Sequence, residues 1–172
     1  MVGHNTDGAG FVRSIRSQLA FDPREAAVTV IGAGGAAVAV SLALLDEGAR
    51  VTVVNRSSER ARAAVAATGG RAVIGEAHAV GDADLVVQAT PLGMQPDDAL
   101  PMDPDLIRPG QLVADLIYHP TETAFLAAAR DRGAVGINGV GMLLFQAGEQ
   151  FRCWTGQEPP IEVMASAVGL DL

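Results

Sequence analysis

The chain has 172 residues, 49% of them hydrophobic, and a formal net charge of −8. These values suit one folded domain with a buried core; they exclude a disordered chain and argue against nonspecific binding to nucleic acid. All twelve positively charged residues are arginine, and lysine is absent. No apolar run is long enough to span a membrane, and the single cysteine cannot form an internal disulfide. Because no apolar segment follows Met-Val-Gly-His, we expect no secretory leader there. We therefore expect a cytoplasmic domain without membrane or nucleic-acid partners.

The first predicted element is a helix over residues 8–20, because Phe11, Ile15 and Leu19 recur at helical spacing. Thr6 or Asp7, just before it, would cap it. Beyond this helix, short apolar runs alternate with helical patterns. The predicted strands are 28–31, 51–54, 71–74, 85–89, 112–116 and 135–137. A helix that ends near residue 47 follows the first strand, and the later helices are 57–67, 123–132, 140–154 and 161–168.

This alternation predicts an α/β fold with a doubly wound parallel sheet, that is, a Rossmann-like NAD(P)-binding domain. No internal repeat or low-complexity segment interrupts the pattern. We expect residues 1–172 to form a single domain, with a core over about 24–137 and flanking helices over 8–20 and 140–170.

The sequence GAGGAA at residues 32–37 lies between a predicted strand and a predicted helix. It matches the pattern G-x-G-x-x-A, in which the first glycine allows a tight turn and the second lets a pyrophosphate approach the backbone. A helix N-terminus also presents free N–H groups to an anion. A generic turn is the alternative, but the strand–turn–helix–strand context favours a dinucleotide. The residues expected to hold it are Gly32, Ala33, Gly34, Gly35 and Ala36.

The end of the second predicted strand distinguishes NAD from NADP. An NAD site usually has a carboxylate there, which bonds the ribose 2′-OH. This chain has NRSSER instead. Arg56 and Arg60 would attract a 2′-phosphate, and Asn55 and Ser57 could donate hydrogen bonds to it; one well-placed arginine is worth about tenfold in preference. We therefore predict NADP(H) as the cofactor, and we expect Arg62 to be a solvated helix charge.

Six segments together resemble the shikimate dehydrogenase family. They are GHNTDGAG (3–10), GAGGAA (32–37), NRSSER (55–60), ATPLGM (89–94), DLIYHPTET (115–123) and NGVGMLLFQA (138–147). They follow the family's order and extend over most of the chain. The resemblance implies an oxidoreductase that reversibly reduces 3-dehydroshikimate to shikimate with NADPH.

Enzymes of this family have two lobes, and the resemblance implies that this chain corresponds to the C-terminal, NADP-binding one. The N-terminal lobe, which holds most substrate contacts and a catalytic lysine, would be absent. We expect the chain alone to bind NADPH with little turnover. It would complete a site for shikimate or 3-dehydroshikimate only with the missing lobe. Apolar surface left uncovered on the first and last helices makes a homodimer plausible.

The resemblance implies that Asp7 is a catalytic residue that partners the lysine and bonds a substrate hydroxyl. A carboxylate beside a lysine stabilises the charged amine and orients it for proton transfer. From the residues alone, Asp7 would be only a helix cap. The resemblance also assigns Tyr118 and Gln146 to the substrate, where spacing alone allows a core-edge tyrosine and a surface glutamine.

The resemblance further places Leu116 and Gly139 at the nicotinamide end of the cofactor, which they contact through the backbone. A glycine has no side chain to block a close approach. Thr90, which follows the fourth long strand, is expected to wall the cofactor groove.

The other reactive side chains are interpreted as structural. His4, His78 and His119 lack metal-ligand spacing, so we expect no metal site, and we expect His4 and His119 to be exposed loop residues. Cys153 is expected to be a buried apolar residue rather than a nucleophile. Acidic residues mixed with proline should form a solvated loop that contains Asp97, Asp98, Asp103 and Asp105.

Two other functions stay open. One is a related oxidoreductase that acts on quinate, which differs from shikimate at one ring position. The missing lobe would contact that position, and the predicted preference for NADP(H) favours shikimate. A noncatalytic NADPH-binding module, which senses the nucleotide or docks a partner, would not need Asp7.

Overall fold

The computed structural model describes residues 3–170, in which six strands form one sheet with helices on both faces. The strands are β1 (Ala27–Ile31), β2 (Arg50–Val54), β3 (Val73–Ile74), β4 (Leu85–Gln88), β5 (Leu112–Asp115) and β6 (Val135–Ile137). The helices are α1 (Asp7–Leu19), α2 (Gly35–Asp46), α3 (Ser58–Ala67), α4 (Ala124–Asp131), α5 (Val140–Thr155) and α6 (Ile161–Ala167). Two short 3-10 turns, Ala77–Val80 and Pro104–Leu106, precede β4 and β5. Every predicted boundary agrees with these to within two residues.

The strands lie in the order β3-β2-β1-β4-β5-β6, and each neighbouring pair is parallel. The connection direction reverses between β1 and β4, so the carboxyl ends of these two strands open a crevice at the edge of the sheet. Ile31 lies opposite Val54 on one side and opposite Gln88 on the other. Gln88 in turn lies opposite Asp115. The ends of the four central strands therefore meet along this crevice.

The sheet is buried on both faces because its central strands are almost entirely apolar. Leu85 and Val87 of β4 belong to a core that also contains side chains of α1, α2, α3 and α5. Val86, between them, points to a second core that contains side chains of α4. A parallel sheet covered on both faces confirms the predicted doubly wound fold.

Helix α1 packs between α2 and α5. Phe11 and Ile15 are buried, as their spacing predicted. Two glycines permit close contact: a Cβ on Gly8 would lie 2.7 Å from a side chain of α2, and one on Gly10 would lie 2.6 Å from the Gln146 backbone nitrogen on α5. The start of α1 is thereby held against both neighbouring helices.

The predicted capping of α1 is correct in its position but not in its hydrogen bond. Thr6 occupies the N-cap position, but its side chain accepts no bond from the helix, and Asp7 is already the first helical residue. The Thr6 hydroxyl instead accepts a hydrogen bond from Gln150 Nε2 at 3.3 Å. Asn5 Oδ1 accepts from the backbone N–H of Asp7 at 2.8 Å, so an asparagine turn fixes the chain as it enters the helix.

Exposed apolar side chains occur on the last helices, as expected, but not on the first helix. The apolar face of α1 is covered by α2 and α5, whereas Trp154 and Val163, near the end of the chain, are 80% and 69% exposed. Cys153, predicted to be buried, is exposed because the last turn of α5 extends beyond the core. Among residues 3–170, no helix combines the length and apolar character needed to cross a bilayer.

Candidate active site

The glycine turn after β1 requires glycine at its first position. Gly32 has φ +123°, a conformation that side chains rarely adopt. A Cβ at this position would lie 2.7 Å from the carbonyl oxygen of Ala89, which follows β4. The Gly32 N–H donates to the carbonyl of Val54, at the end of β2, at 2.9 Å. The turn is therefore fixed between the ends of two neighbouring strands.

The start of α2 is open and uncapped. Gly34 is the N-cap residue, and no side chain accepts a hydrogen bond from the helix there. A Cβ at Gly34 or Gly35 would meet no atom within 4 Å. Gly34, Gly35 and Ala36 are exposed, whereas Ala37 is buried against the sheet. Free backbone N–H groups and the positive end of the helix dipole thus face open space, which suits a phosphate.

The segment from β2 to α3 presents arginines and no acidic group at the strand end. Ser57 caps α3, since its hydroxyl oxygen accepts from the Arg60 N–H at 3.3 Å, and Asn55 Nδ2 donates to the Ser57 carbonyl at 3.0 Å. Arg56 and Arg60 are exposed, and neither forms an ion pair with another residue between 3 and 170. Asn55 and Ser57 therefore shape the loop, while two guanidinium groups face solvent. Arg62 is exposed on α3, as predicted.

The three residues assigned to substrate lie in one cleft of about 260 Å³. Asp7 comes from the start of α1, Tyr118 from the loop after β5, and Gln146 from α5. The remaining lining includes the start of α2 and both residues expected at the nicotinamide end: Ala36, Leu116, Gly139, Met142 and Leu143. The cleft is therefore continuous with the glycine turn through Ala36.

The carboxylate of Asp7 is held by its neighbour. Besides the bond to the Asp7 N–H, Asn5 places its Nδ2 3.5 Å from Asp7 Oδ2. Within residues 3–170, Asp7 has no cationic partner, since its carboxylate forms no ion pair there. A half-buried carboxylate at the rim of the cleft can therefore accept a hydroxyl or an ammonium group from a ligand or another segment.

Gly139 lies against the backbone of the loop after β5. A Cβ on Gly139 would be 2.1 Å from the Leu116 carbonyl oxygen, and the Gly139 N–H donates to the Ile117 carbonyl at 2.9 Å. On the other side of β4, the methyl group of Thr90 would be 3.3 Å from a Cβ on Gly32. Thr90 and Leu116 thus follow β4 and β5 at the carboxyl edge of the sheet, where the crevice between β1 and β4 opens.

Two buried polar residues at the strand ends were not predicted. Gln88 is 0% exposed and Asp115 is 1% exposed. Burial raises the pKa of Asp115 above its ordinary value, although bonds from the Ile117 N–H and the Thr123 hydroxyl oppose this shift. The available signal was a glutamine and an aspartate in the otherwise apolar runs LVVQA and LVADL.

In the acidic loop Asp97, Asp103 and Asp105 are exposed, as predicted, whereas Asp98 is half-buried. Asp98 Oδ2 accepts hydrogen bonds from the N–H groups of Gly93 and Gln95, both at 2.9 Å. Bonds from the Gln95 and Gly93 backbone N–H groups hold the pKa of Asp98 below its ordinary value. Asp103 similarly accepts from the Asp105 N–H at 2.9 Å.

The exposed histidines are His4, His78 and His119, and no cluster of metal-ligating side chains occurs between residues 3 and 170.

Comparison with known proteins identifies the family. The NADP(+)-dependent shikimate dehydrogenase of Moorella thermoacetica is 44% identical over 174 residues, which cover 94% of this chain and 59% of that protein. The family model for shikimate / quinate 5-dehydrogenase matches residues 15–92, and the model for the shikimate 5′-dehydrogenase C-terminal domain matches residues 139–168. The chain belongs to the shikimate dehydrogenase family.

Solved structures of the shikimate dehydrogenase family share this fold. Shikimate dehydrogenase from Thermus thermophilus, in complex with NADP(H) and shikimate, is 33% identical with a TM-score of 0.86, over 97% of this chain and 62% of that one. Quinate dehydrogenase from Corynebacterium glutamicum, in complex with NAD, is 33% identical with a TM-score of 0.85, over 95% of this chain and 61% of that one. The chain therefore spans about three fifths of the length of these relatives.

Proposed function

We propose that this chain is the NADP(H)-binding domain of a shikimate dehydrogenase, an oxidoreductase that reversibly reduces 3-dehydroshikimate to shikimate. The observation that carries the proposal is the continuity between the glycine turn and the cleft that contains Asp7, Tyr118 and Gln146. In doubly wound folds a dinucleotide lies across the crevice where the strand order reverses. A cofactor bound at this turn would point one end into the cleft.

The residues around the crevice fit NADP(H). Gly32, Ala33, Gly34, Gly35 and Ala36 would hold the pyrophosphate, since no Cβ fills the space at Gly34 and no side chain caps α2. The two exposed arginines after β2, Arg56 and Arg60, would hold the 2′-phosphate. Their polar neighbours Asn55 and Ser57 would donate hydrogen bonds to it. Thr90, Leu116 and Gly139 would wall the nicotinamide end. When bound, NADPH supplies the hydride for the reduction.

Asp7, Tyr118 and Gln146 would bind the substrate from the cofactor side. Asp7 would accept a substrate hydroxyl and stabilise the ammonium group of a lysine that protonates the carbonyl oxygen. This chain contains no lysine. The cation would come from the part of the full-length enzyme that the matched relatives have in addition. We therefore infer that the chain alone binds cofactor with little turnover.

We further infer a cytoplasmic location, because the single cysteine allows no internal disulfide and suits a reducing compartment. We infer that self-association uses exposed apolar side chains of the last helices, such as Trp154 and Val163, since the apolar side chains of α1 are already covered. Sedimentation of wild-type chain and of a Trp154→Gln variant tests this. A monomer at all concentrations excludes the homodimer.

Quinate is the second candidate substrate, because the quinate dehydrogenase matches this chain as well as the shikimate dehydrogenase does. That quinate dehydrogenase is in complex with NAD. Here the loop after β2 presents Arg56, which would attract a 2′-phosphate and so favours NADP(H). The cofactor loop therefore supports shikimate, and the part of the enzyme that reads the substrate ring decides the question.

The proposal is tested in a two-lobed enzyme made by joining this chain to the N-terminal part of the Moorella relative. Because this chain supplies the cofactor half of the fusion, we expect oxidation of shikimate with NADP⁺ to exceed that with NAD⁺. Asp7→Asn should lower kcat by about 100-fold, because a positioned acid–base group typically contributes at least that much. Asp97→Asn, in the exposed loop, is the control and should leave kcat unchanged. An unchanged kcat in Asp7→Asn would contradict the catalytic role of Asp7, whereas a wild-type fusion without turnover would favour a noncatalytic module.

A further inference from the structure

A buried polar cluster lies beneath the carboxyl edge of the sheet. We use the term polar cluster for Gln88, Asp115 and Thr123, which are 0%, 1% and 1% exposed. Gln88 ends β4, Asp115 ends β5, and Thr123 is the N-cap residue of α4. Buried polar side chains are costly unless they are hydrogen-bonded, so their partners indicate what the cluster holds.

Gln88 holds the loop that follows β4. Its Nε2 donates to the carbonyl oxygens of Thr90 and Leu92, at 3.2 and 3.0 Å. Its Oε1 accepts from the Thr90 N–H at 2.5 Å. One side chain thus fixes both peptide groups of Thr90. Nε2 also lies 3.4 Å from Asp115 Oδ1, which joins the two halves of the polar cluster.

Asp115 and Thr123 hold the loop that follows β5. Asp115 Oδ1 accepts from the Ile117 N–H at 3.0 Å, and Oδ2 accepts from the Thr123 hydroxyl at 2.7 Å. Thr123 Oγ1 in turn accepts from the Leu126 N–H at 3.1 Å. The Leu116 N–H donates to the Gln88 carbonyl at 2.9 Å. The position of Leu116 is therefore fixed from both sides.

The two loops border the crevice at its switch point. Gln88 lies opposite Ile31, immediately before the glycine turn. The segment it holds is in contact with that turn, since a Cβ on Gly32 would lie 2.7 Å from the Ala89 carbonyl oxygen and 3.3 Å from Thr90. Leu116, held by the other loop, lines the cleft.

We propose that Gln88 is a positioning residue for the cofactor. It fixes the position of the Thr90 loop relative to the glycine turn and, through Asp115, the position of the Leu116 loop. The inference rests on the proposed function. Gln88 touches no part of the crevice itself and acts through the backbone of these loops. Its loss should weaken the half of the site beyond the pyrophosphate, toward the cleft, and leave the adenosine half after β2 intact.

The chain offers a matched control in Gln111. This glutamine is 4% exposed; its Nε2 donates to the carbonyls of Val80 and Ala83, at 2.6 and 2.7 Å, and its Oε1 accepts from the Arg108 N–H at 3.0 Å. Like Gln88, it donates to two backbone carbonyls and accepts from one backbone N–H, and it lacks only the contact with Asp115. Gln111 precedes β5, however, and lies at the opposite edge of the sheet. Substitution of either residue should therefore lower the free energy of unfolding by a similar amount. Of the two, Gln88 adjoins the crevice.

The test compares Gln88→Met with Gln111→Met. Calorimetry measures the affinity of each for NADP⁺ and for adenosine 2′,5′-bisphosphate, which lacks the nicotinamide half. We expect Gln88→Met to bind NADP⁺ about tenfold more weakly than wild type, because one to two hydrogen bonds between the displaced loops and the cofactor are worth roughly that factor. The bisphosphate should bind as it does to wild type. Gln111→Met should bind both ligands as wild type does.

Equal NADP⁺ affinity in the two variants would overturn the inference, as would a parallel loss of both ligands in Gln88→Met. Wild-type chain that binds neither ligand would overturn the proposed function itself. Should Gln88→Met not fold, Gln88→Asn replaces it. That variant keeps a neutral amide but is one methylene shorter, so it loses its reach to the Thr90 and Leu92 carbonyls, and we expect weaker NADP⁺ binding with the bisphosphate bound as in wild type. Unchanged NADP⁺ affinity would overturn the inference.

Discussion

Gly10 on α1 lies directly against the backbone of Gln146 on α5. A Cβ on Gly10 would be 2.6 Å from the Gln146 nitrogen and 2.8 Å from its Cβ. This approach brings Asp7, one turn earlier on α1, to the same cleft as the Gln146 side chain. The last glycine of the segment GHNTDGAG is thus a packing residue, and the packing brings the two polar side chains together.

Gly10→Ala should destabilise the chain by about 1–3 kcal/mol, because an added methyl group forces two packed backbones apart. Gly35→Ala is the control, since a Cβ there meets open space and alanine is the better helix former. Urea unfolding measures both. A Gly10→Ala variant as stable as wild type would mean that α1 and α5 can separate freely.

Gly34→Ala should weaken NADPH binding by tenfold or more without loss of stability. The new methyl group points into the space that a pyrophosphate would occupy, and no protein atom lies within 4 Å of it. Calorimetry gives the affinity and urea unfolding the stability. Retained affinity would show that the phosphate does not lie at this turn.

Arg56→Gln should reduce the preference for NADPH over NADH by about tenfold, because it removes one charge-assisted hydrogen bond to the 2′-phosphate. Arg62→Gln removes the same charge from the exposed side of α3 and should leave the preference unchanged. The ratio of the two dissociation constants is measured for each variant. Equal effects of the two substitutions would indicate that only the net charge matters.

The stability of an Asp115→Asn variant relative to wild type should depend on pH. Burial raises the pKa of Asp115, so the fold disfavours the charged form. Its contribution to stability is fully present below the ordinary pKa of 3.8 and is lost as the pH rises through the raised value. The neutral asparagine has no such loss.

The free energy of unfolding of Asp115→Asn, minus that of wild type, should therefore increase between about pH 4 and the raised pKa and then level off. Urea titrations at several pH values measure this difference. Asp97→Asn, at an exposed position, controls for the loss of a carboxylate. A difference that stays constant over the whole range would contradict the burial of a disfavoured charge.

The sheet and the glycine turn could be predicted from the sequence because their signals are local. Apolar runs such as LVVQA alternate with helical patterns, and GAGGAA follows a strand and opens a helix, so the strand order and crevice follow from general rules of parallel sheets. The arginines after β2 were likewise found by position. Their side chains are exposed, as such a role requires.

The remaining features depend on contacts between distant segments. Thr6 bonds Gln150 rather than its own helix, which no local capping pattern indicates. Gln88 and Asp115 meet only because β4 and β5 pair in a register that places them opposite each other. Cys153 is exposed because α5 extends past the core, and the length of a helix alone does not show where its covering ends.

Calorimetric titration of the purified chain with NADPH and then with NADH tests the central claim most directly. We predict clear binding of NADPH and about tenfold weaker binding of NADH, as expected for a glycine turn followed by an arginine pair without a carboxylate. Binding of neither nucleotide, or tighter binding of NADH, would contradict the assignment of this chain as an NADP(H)-binding domain.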